Sequence, residues 1–146
     1  MKIALGADHG GYALKEAVKA MLESGGYVAE DIGTDSPDAV DYPAYVAPVV
    51  RMVLSGEVFR GILICGSGIG MSIAANRFPG IRAALCLDAE TARLSRAHND
   101  SNVLVLAGRK TDAETARSIL DAWLSTDFEA GRHLKRIQMI ETVMVS

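Results

Sequence analysis

Gly61-Ile-Leu-Ile-Cys-Gly-Ser-Gly-Ile-Gly-Met-Ser-Ile-Ala-Ala-Asn76 decides how the rest of the chain is read. An apolar run ends in Cys65 and passes into a glycine-rich turn, which then opens a helical pattern. Gly66, Gly68 and Gly70 let the backbone turn tightly and aim amide N–H groups at a ligand above the helix N-terminus. A thiol at that end of a helix sits in the positive field of the dipole, which favours a thiolate. The segment thus offers a base or nucleophile beside donors that stabilise an anion. It is not the G-x-G-x-x-G dinucleotide fingerprint, because the third glycine comes one residue early. A cysteine closing a buried strand also serves as a small core residue, so the segment alone leaves both readings open.

Working outward, apolar runs at Ile3–Gly6, Tyr27–Ile32, Gly61–Cys65, Ile81–Leu87 and Val103–Ala107 alternate with segments of helical period. Those lie near Tyr12–Ser24, Ala44–Ser55, Met71–Asn76, Ala89–His98 and Asp112–Leu124. Short continuous apolar strands separated by helices predict a parallel sheet covered on both faces. Thr111-Asp-Ala-Glu114 fits a capping box for the helix after the fifth strand. An amphipathic segment, Phe128–Val145, stands beyond the last strand. The expectation is an α/β chain forming one domain, 1–146. Its core is a three-layer, doubly wound five-stranded parallel sheet of Rossmann-like or flavodoxin-like kind, with an extra C-terminal helix. An order of 2-1-3-4-5 puts the ligand at the carboxyl ends of strands one and three, where strand order reverses.

Composition narrows the class. The 146 residues are 49% hydrophobic and 23% charged, enough for a sizeable core. A net charge of −3 speaks against nucleic acid as a partner, and means that an anionic ligand is held by local arginines. No apolar run is long enough to span a bilayer, and Lys2-Ile-Ala-Leu5 reads as a strand, not a signal peptide. Cys65 and Cys86 therefore read as reduced thiols of a cytoplasmic protein.

Three polar clusters remain. Asp8 and His9, in Gly6-Ala-Asp-His-Gly-Gly11, end the first strand and face Cys65 across the expected crevice. As an isolated pair they would simply cap the next helix. Arg96-Ala-His-Asn-Asp-Ser-Asn102 precedes the fifth strand, and its plain reading is a helix C-cap with Asn99 as the left-handed residue. Arg132 and Arg136, one helical turn apart, share a face suited to a phosphate. Leu134, Ile137 and Ile140 fall on another side, a stripe that must be buried somewhere, a partner subunit being one such place. The three histidines lie in separate segments without metal-ligand spacing.

Taken together, these motifs resemble the sugar-phosphate isomerase family that contains ribose-5-phosphate isomerase type B and the galactose-6-phosphate isomerase subunits. The matching stretches are Ile3-Ala-Leu-Gly-Ala-Asp-His-Gly-Gly11, Asp41-Tyr-Pro43, the segment from Cys65 to Asn76, Gly80-Ile-Arg-Ala-Ala84, Ser95-Arg-Ala-His-Asn-Asp100, Asn102-Val103 and Gly131-Arg-His133.

The resemblance implies an aldose–ketose isomerase that interconverts ribose 5-phosphate and ribulose 5-phosphate through an enediolate. By position, Cys65 matches the base that moves the proton between C2 and C1, and Ser67 a residue that moves the proton between the oxygens. The amides of Gly66 through Gly70 would stabilise the enediolate. His98 matches the residue that opens the furanose ring, with Asp8 as its partner and Asn99 beside it. His9, Arg109, Arg132 and Arg136 match phosphate-binding positions, and Tyr42 a tyrosine near the sugar. Some members use a glutamate just after the glycine loop as base, and here that position is Met71. The family implies a homodimer, or a tetramer built on it, with His98 and Asn99 supplied by the neighbour of the chain that supplies Cys65. No metal and no organic cofactor is implied. A six-carbon substrate (allose 6-phosphate or galactose 6-phosphate) and a non-catalytic sugar-phosphate sensor are the alternatives. Neither nucleic acid nor membrane is expected as a partner.

Overall fold

The structure, a computed structural model, describes residues 1–143. Five strands, β1 (Lys2–Ala7), β2 (Val28–Asp31), β3 (Arg60–Cys65), β4 (Ala83–Leu85) and β5 (Val103–Ala107), form one parallel sheet. The helices are α1 (Tyr12–Ser24), α2 (Val46–Ser55), α3 (Ile69–Ala75), α4 (Ala89–Ala97), α5 (Ala113–Ser125) and α6 (Arg132–Glu141). Single 3₁₀ turns at His9–Gly11 and Tyr42–Tyr45 lead into α1 and α2. The helix expected over Ala44–Ser55 thus begins as a 3₁₀ turn, with Pro43 in its first turn.

Alternate residues of the sheet feed two cores. Ile3, Leu5, Ile62, Ile64, Leu104 and Leu106 pack with α1, α4 and α5, while Ala4, Leu63, Cys65, Val103 and Val105 pack with α2 and α3. Both faces are buried, so the central strands read as continuous apolar runs. The α/β/α class agrees with the sequence. No helix among the described residues is long and apolar enough to cross a membrane.

The expected order 2-1-3-4-5 is corrected to β2-β1-β3-β5-β4. The reason lies in handedness and burial. Parallel crossovers are right-handed, so helices on one face belong to connections running in one direction along the sheet. Because α4 packs on the face of α1, the β4-to-β5 connection runs the same way as β1-to-β2, which places β5 inside β4. The five residues of β5 are all buried, whereas the three of β4 are only partly so, as suits an edge.

Two caps also differ from expectation. The N-cap of α5 is Asp112, whose carboxylate accepts from the Thr115 N–H, so the capping box on Thr111 does not form. Thr111 is instead buried, and its hydroxyl has no hydrogen-bond partner among the described residues. After α4 the left-handed residue is Asp100 (φ 47°), not Asn99. The C-terminal amphipathic segment becomes α6, shorter than Phe128–Val145, and its end at Val145 lies outside the described residues.

Candidate active site

The carboxyl ends of β1 and β3 flank a crevice of about 250 Å³, lined by Asp8, His9, Gly10, Tyr42, Cys65, Gly66, Ser67, Gly70 and Arg109. The Asp8 amide donates to the Ile64 carbonyl at 3.3 Å, which ties the loop after β1 to β3. The residue is 6% exposed and its carboxylate accepts from the Gly11 N–H at 3.1 Å, so Asp8 caps the first turn and lines the crevice at once. His9 Nδ1 accepts from the Val40 amide at 3.1 Å. In the neutral ring Nε2 therefore carries the proton.

Cys65 Sγ lies 3.1 Å from the Gly68 amide, and Ser67 Oγ accepts from Ile69 N at 3.2 Å. Two loop amides are thus engaged within the loop itself. Those of Ser67 and Gly70, both at the crevice, have no protein acceptor among the described residues. Gly68 supports the turn from below: its φ is +77°, and a Cβ there would meet Leu85 Cδ1 at 2.5 Å. Gly70 faces the crevice, where a Cβ would stand 2.6 Å from Tyr42 Cζ, so the tyrosine ring lies directly over the loop. Met71 is fully buried in the core on the α2–α3 side and contributes nothing to the crevice.

The corrected strand order explains the arrival of Arg109. Since β5 pairs with β3, the loop after it abuts the glycine turn: Gly108 N donates to Cys65 O at 2.7 Å and Arg109 N to Gly66 O at 3.0 Å. The Arg109 guanidinium lies against Gly66 and forms no ion pair among the described residues. It gives a cationic end, with the His9 ring beside it, to a crevice whose middle holds a thiol and amide donors. That arrangement suits an anionic small molecule whose reacting carbons lie over Cys65.

His98, Asn99, Arg132 and Arg136 are not in that crevice. Asn99 lines a different cavity of about 340 Å³, with Arg82, Ser95, Ser101 and Ile140. Arg132 lines a shallow one with Glu129 and His133, and Arg136 is exposed one turn further along α6. His98 and His133 were expected to stand apart, yet their rings stack with centroids 4.3 Å apart and planes 14° from parallel. Glu129 Oε1 lies 3.7 Å from His98 Nε2 and 3.9 Å from His133 Nε2. Burial holds the His133 imidazole below its ordinary range, and the neighbouring His98 and Arg132 act the same way. The three ligand atoms are close enough to suggest a metal. However, an ion bound at about 2.0–2.1 Å lies close to the plane of each ligating imidazole. Near-parallel rings cannot both point at one ion without rotating.

Gly10, Glu129 and His133 were not singled out from sequence as site residues. Two of the motif asparagines, Asn76 and Asn102, prove to be scaffold. The Asn76 side chain exchanges two hydrogen bonds with Ala83 of β4, and Asn102 bonds Arg82 N and Gly80 O.

Residues 3–140 match the family model described as Ribose/Galactose Isomerase. The chain is 48% identical to ribose-5-phosphate isomerase B of Escherichia coli over 142 residues, 97% of this chain and 95% of that one. A solved ribose 5-phosphate isomerase from Thermotoga maritima superposes with a TM-score of 0.95 at 54% identity, covering 97% of this chain and 98% of that one. The type B ribose 5-phosphate isomerase of Trypanosoma brucei gives 0.93 at 46% identity, covering 97% of each chain.

Proposed function

The chain belongs to the Ribose/Galactose Isomerase family, and from that premise we propose that it interconverts ribose 5-phosphate and ribulose 5-phosphate, as its one catalytic domain, 1–146. The observation that carries this reading is the crevice itself, where Cys65, two free loop amides and Arg109 converge. Aldose–ketose isomerisation removes a weakly acidic hydrogen beside a carbonyl, so it needs a base and stabilisation of the resulting oxyanion. In the proposed mechanism Cys65 takes the proton from C2 and returns it to C1, and Ser67 relays a proton between O1 and O2. The amides of Ser67 and Gly70 stabilise the enediolate. His9 and Arg109 hold the phosphate, which does not react but aligns the sugar. Tyr42 walls the sugar side. The reaction needs no metal or organic cofactor.

His98, Asn99, Arg132 and Arg136 lie outside the crevice of their own chain, which supports a homodimer whose partner contributes them. His98 then opens the ring with Asp8, and the two arginines complete the phosphate site. The two free cysteines fit a reducing cytoplasm, and the reaction belongs to pentose phosphate metabolism.

The test is conversion of ribose 5-phosphate by purified protein in EDTA, with Cys65→Ala alongside. Wild-type turnover should persist in EDTA, and the variant should lose about 10²- to 10⁴-fold in kcat with KM little changed. Equal rates in both proteins would remove Cys65 from its role. Inactivity toward ribose 5-phosphate would send the search to six-carbon sugar phosphates.

A further inference from the structure

The residues around His98 are arranged more tightly than a surface histidine requires. Glu129 N donates to Ala97 O at 2.9 Å, and Arg96 Nε reaches Thr126 O at 3.3 Å, so the segment before α6 is fastened to the end of α4. The chain then turns through Ala130 and Gly131, with φ of 55° and 53°. Left-handed backbone at an alanine persists where its surroundings dictate it. Here it returns the chain so that His133 lies flat on His98 while Glu129 faces Nε2 of both rings. Among the described residues His98 Nδ1 has no protein partner.

We propose that Glu129 is a positioning residue for ring opening: it draws the Nε2–H of His98 toward its carboxylate, His133 fixes the ring plane, and Nδ1 is presented to the sugar. This rests on the isomerase reading above. Ring opening breaks the C1–O4 bond as the O1 hydroxyl proton departs and O4 gains a proton, with no net change. An imidazole held with one nitrogen free can take the first proton and deliver the second. A carboxylate behind the opposite nitrogen is the general device for fixing the tautomer of such a histidine.

The two halves of the reaction separate experimentally. Ribose 5-phosphate is a furanose and must be opened, whereas ribulose 5-phosphate is acyclic because its 5-hydroxyl carries the phosphate. Exchange of a C1 hydrogen of ribulose 5-phosphate with deuterium oxide needs only the Cys65 base. The experiment compares wild type, Glu129→Gln and Glu129→Ala in both assays. The expected result is a loss of about 10- to 100-fold in conversion of ribose 5-phosphate, within the range a positioned acid–base contributes, with C1 exchange within about twofold of wild type. Equal loss in both assays would make Glu129 merely structural, and no loss in either would overturn the proposal. Wild type inactive in both assays would mean that the isomerase reading itself had failed.

Discussion

At the scale of single residues the two cysteines make the sharpest contrast. Both close or border apolar strands, and only the residues that follow them, glycine-rich after Cys65 and not after Cys86, separate them in the sequence. In the structure Cys65 lines the crevice with Sγ opposite the Gly68 amide, whereas Cys86 is fully enclosed and burial pushes its thiol up to about 11. The thiolate is the reactive form, so native protein at pH 8 should consume one equivalent of iodoacetamide, at Cys65, and two after denaturation. Peptide mapping of the labelled protein checks this; label at Cys86 in the native state would contradict the burial. What made Cys65 legible as a site residue was its context, three glycines and a helix start. His133 carried no such context. Its proximity to His98 depends on two left-handed residues, Ala130 and Gly131, and an alanine gives no hint of that conformation. The sequence thus marked the loop and left the histidine pair unseen.

At the scale of elements the types and most boundaries were legible because each strand is a short apolar run and each helix has an apolar stripe. Order and caps were not. Period and hydrophobicity do not say which of two apolar strands is the edge; the crossover hand does, and it needs the face on which α4 packs. The start of α5 shows the same limit. Thr111 and Asp112 are both good cap residues, and the structure selects Asp112, whose carboxylate accepts from Thr115 N at 2.7 Å. That bond holds the Asp112 carboxyl below its ordinary value of 3.8. A folded-state value depressed in this way stabilises the protein above pH 3.8, and the contribution disappears as the pH falls through the lower value. Asp112→Ala should therefore lower the denaturant midpoint at pH 7, with the gap from wild type closing in acid below pH 3.8. A gap independent of pH would mean that the lost cap is not a carboxylate effect.

At the scale of the whole molecule the motifs named the parts of the site and the resemblance implied that two subunits share them, while within one chain the structure keeps those parts in two places. Cys65 and Arg109 meet because β3 and β5 are neighbours, but His98 and Arg132 leave from α4 and α6 and face elsewhere. The apolar residues left open to solvent tell the same story: Ile69 and Ile73 on α3 and Leu134, Met139 and Ile140 on α6 are roughly half exposed or more. An amphipathic helix with an uncovered stripe needs a second surface, and an isologous dimer supplies two copies of every contact. In such a dimer each site takes Cys65 from one subunit and His98 from the other. Cys65→Ala and His98→Ala homodimers should then both be poor enzymes for ribose 5-phosphate. Mixing them through a denaturation–refolding cycle should place both lesions in one site of each hybrid and leave the other site intact. Random pairing restores roughly a quarter of wild-type activity, since half the dimers are hybrid and each holds one good site. If instead each chain completes its own site, every site in the mixture carries one lesion and the activity stays at the level of the parents. The mixture therefore reads out directly whether the crevice around Cys65 is closed by its own chain or by a second one.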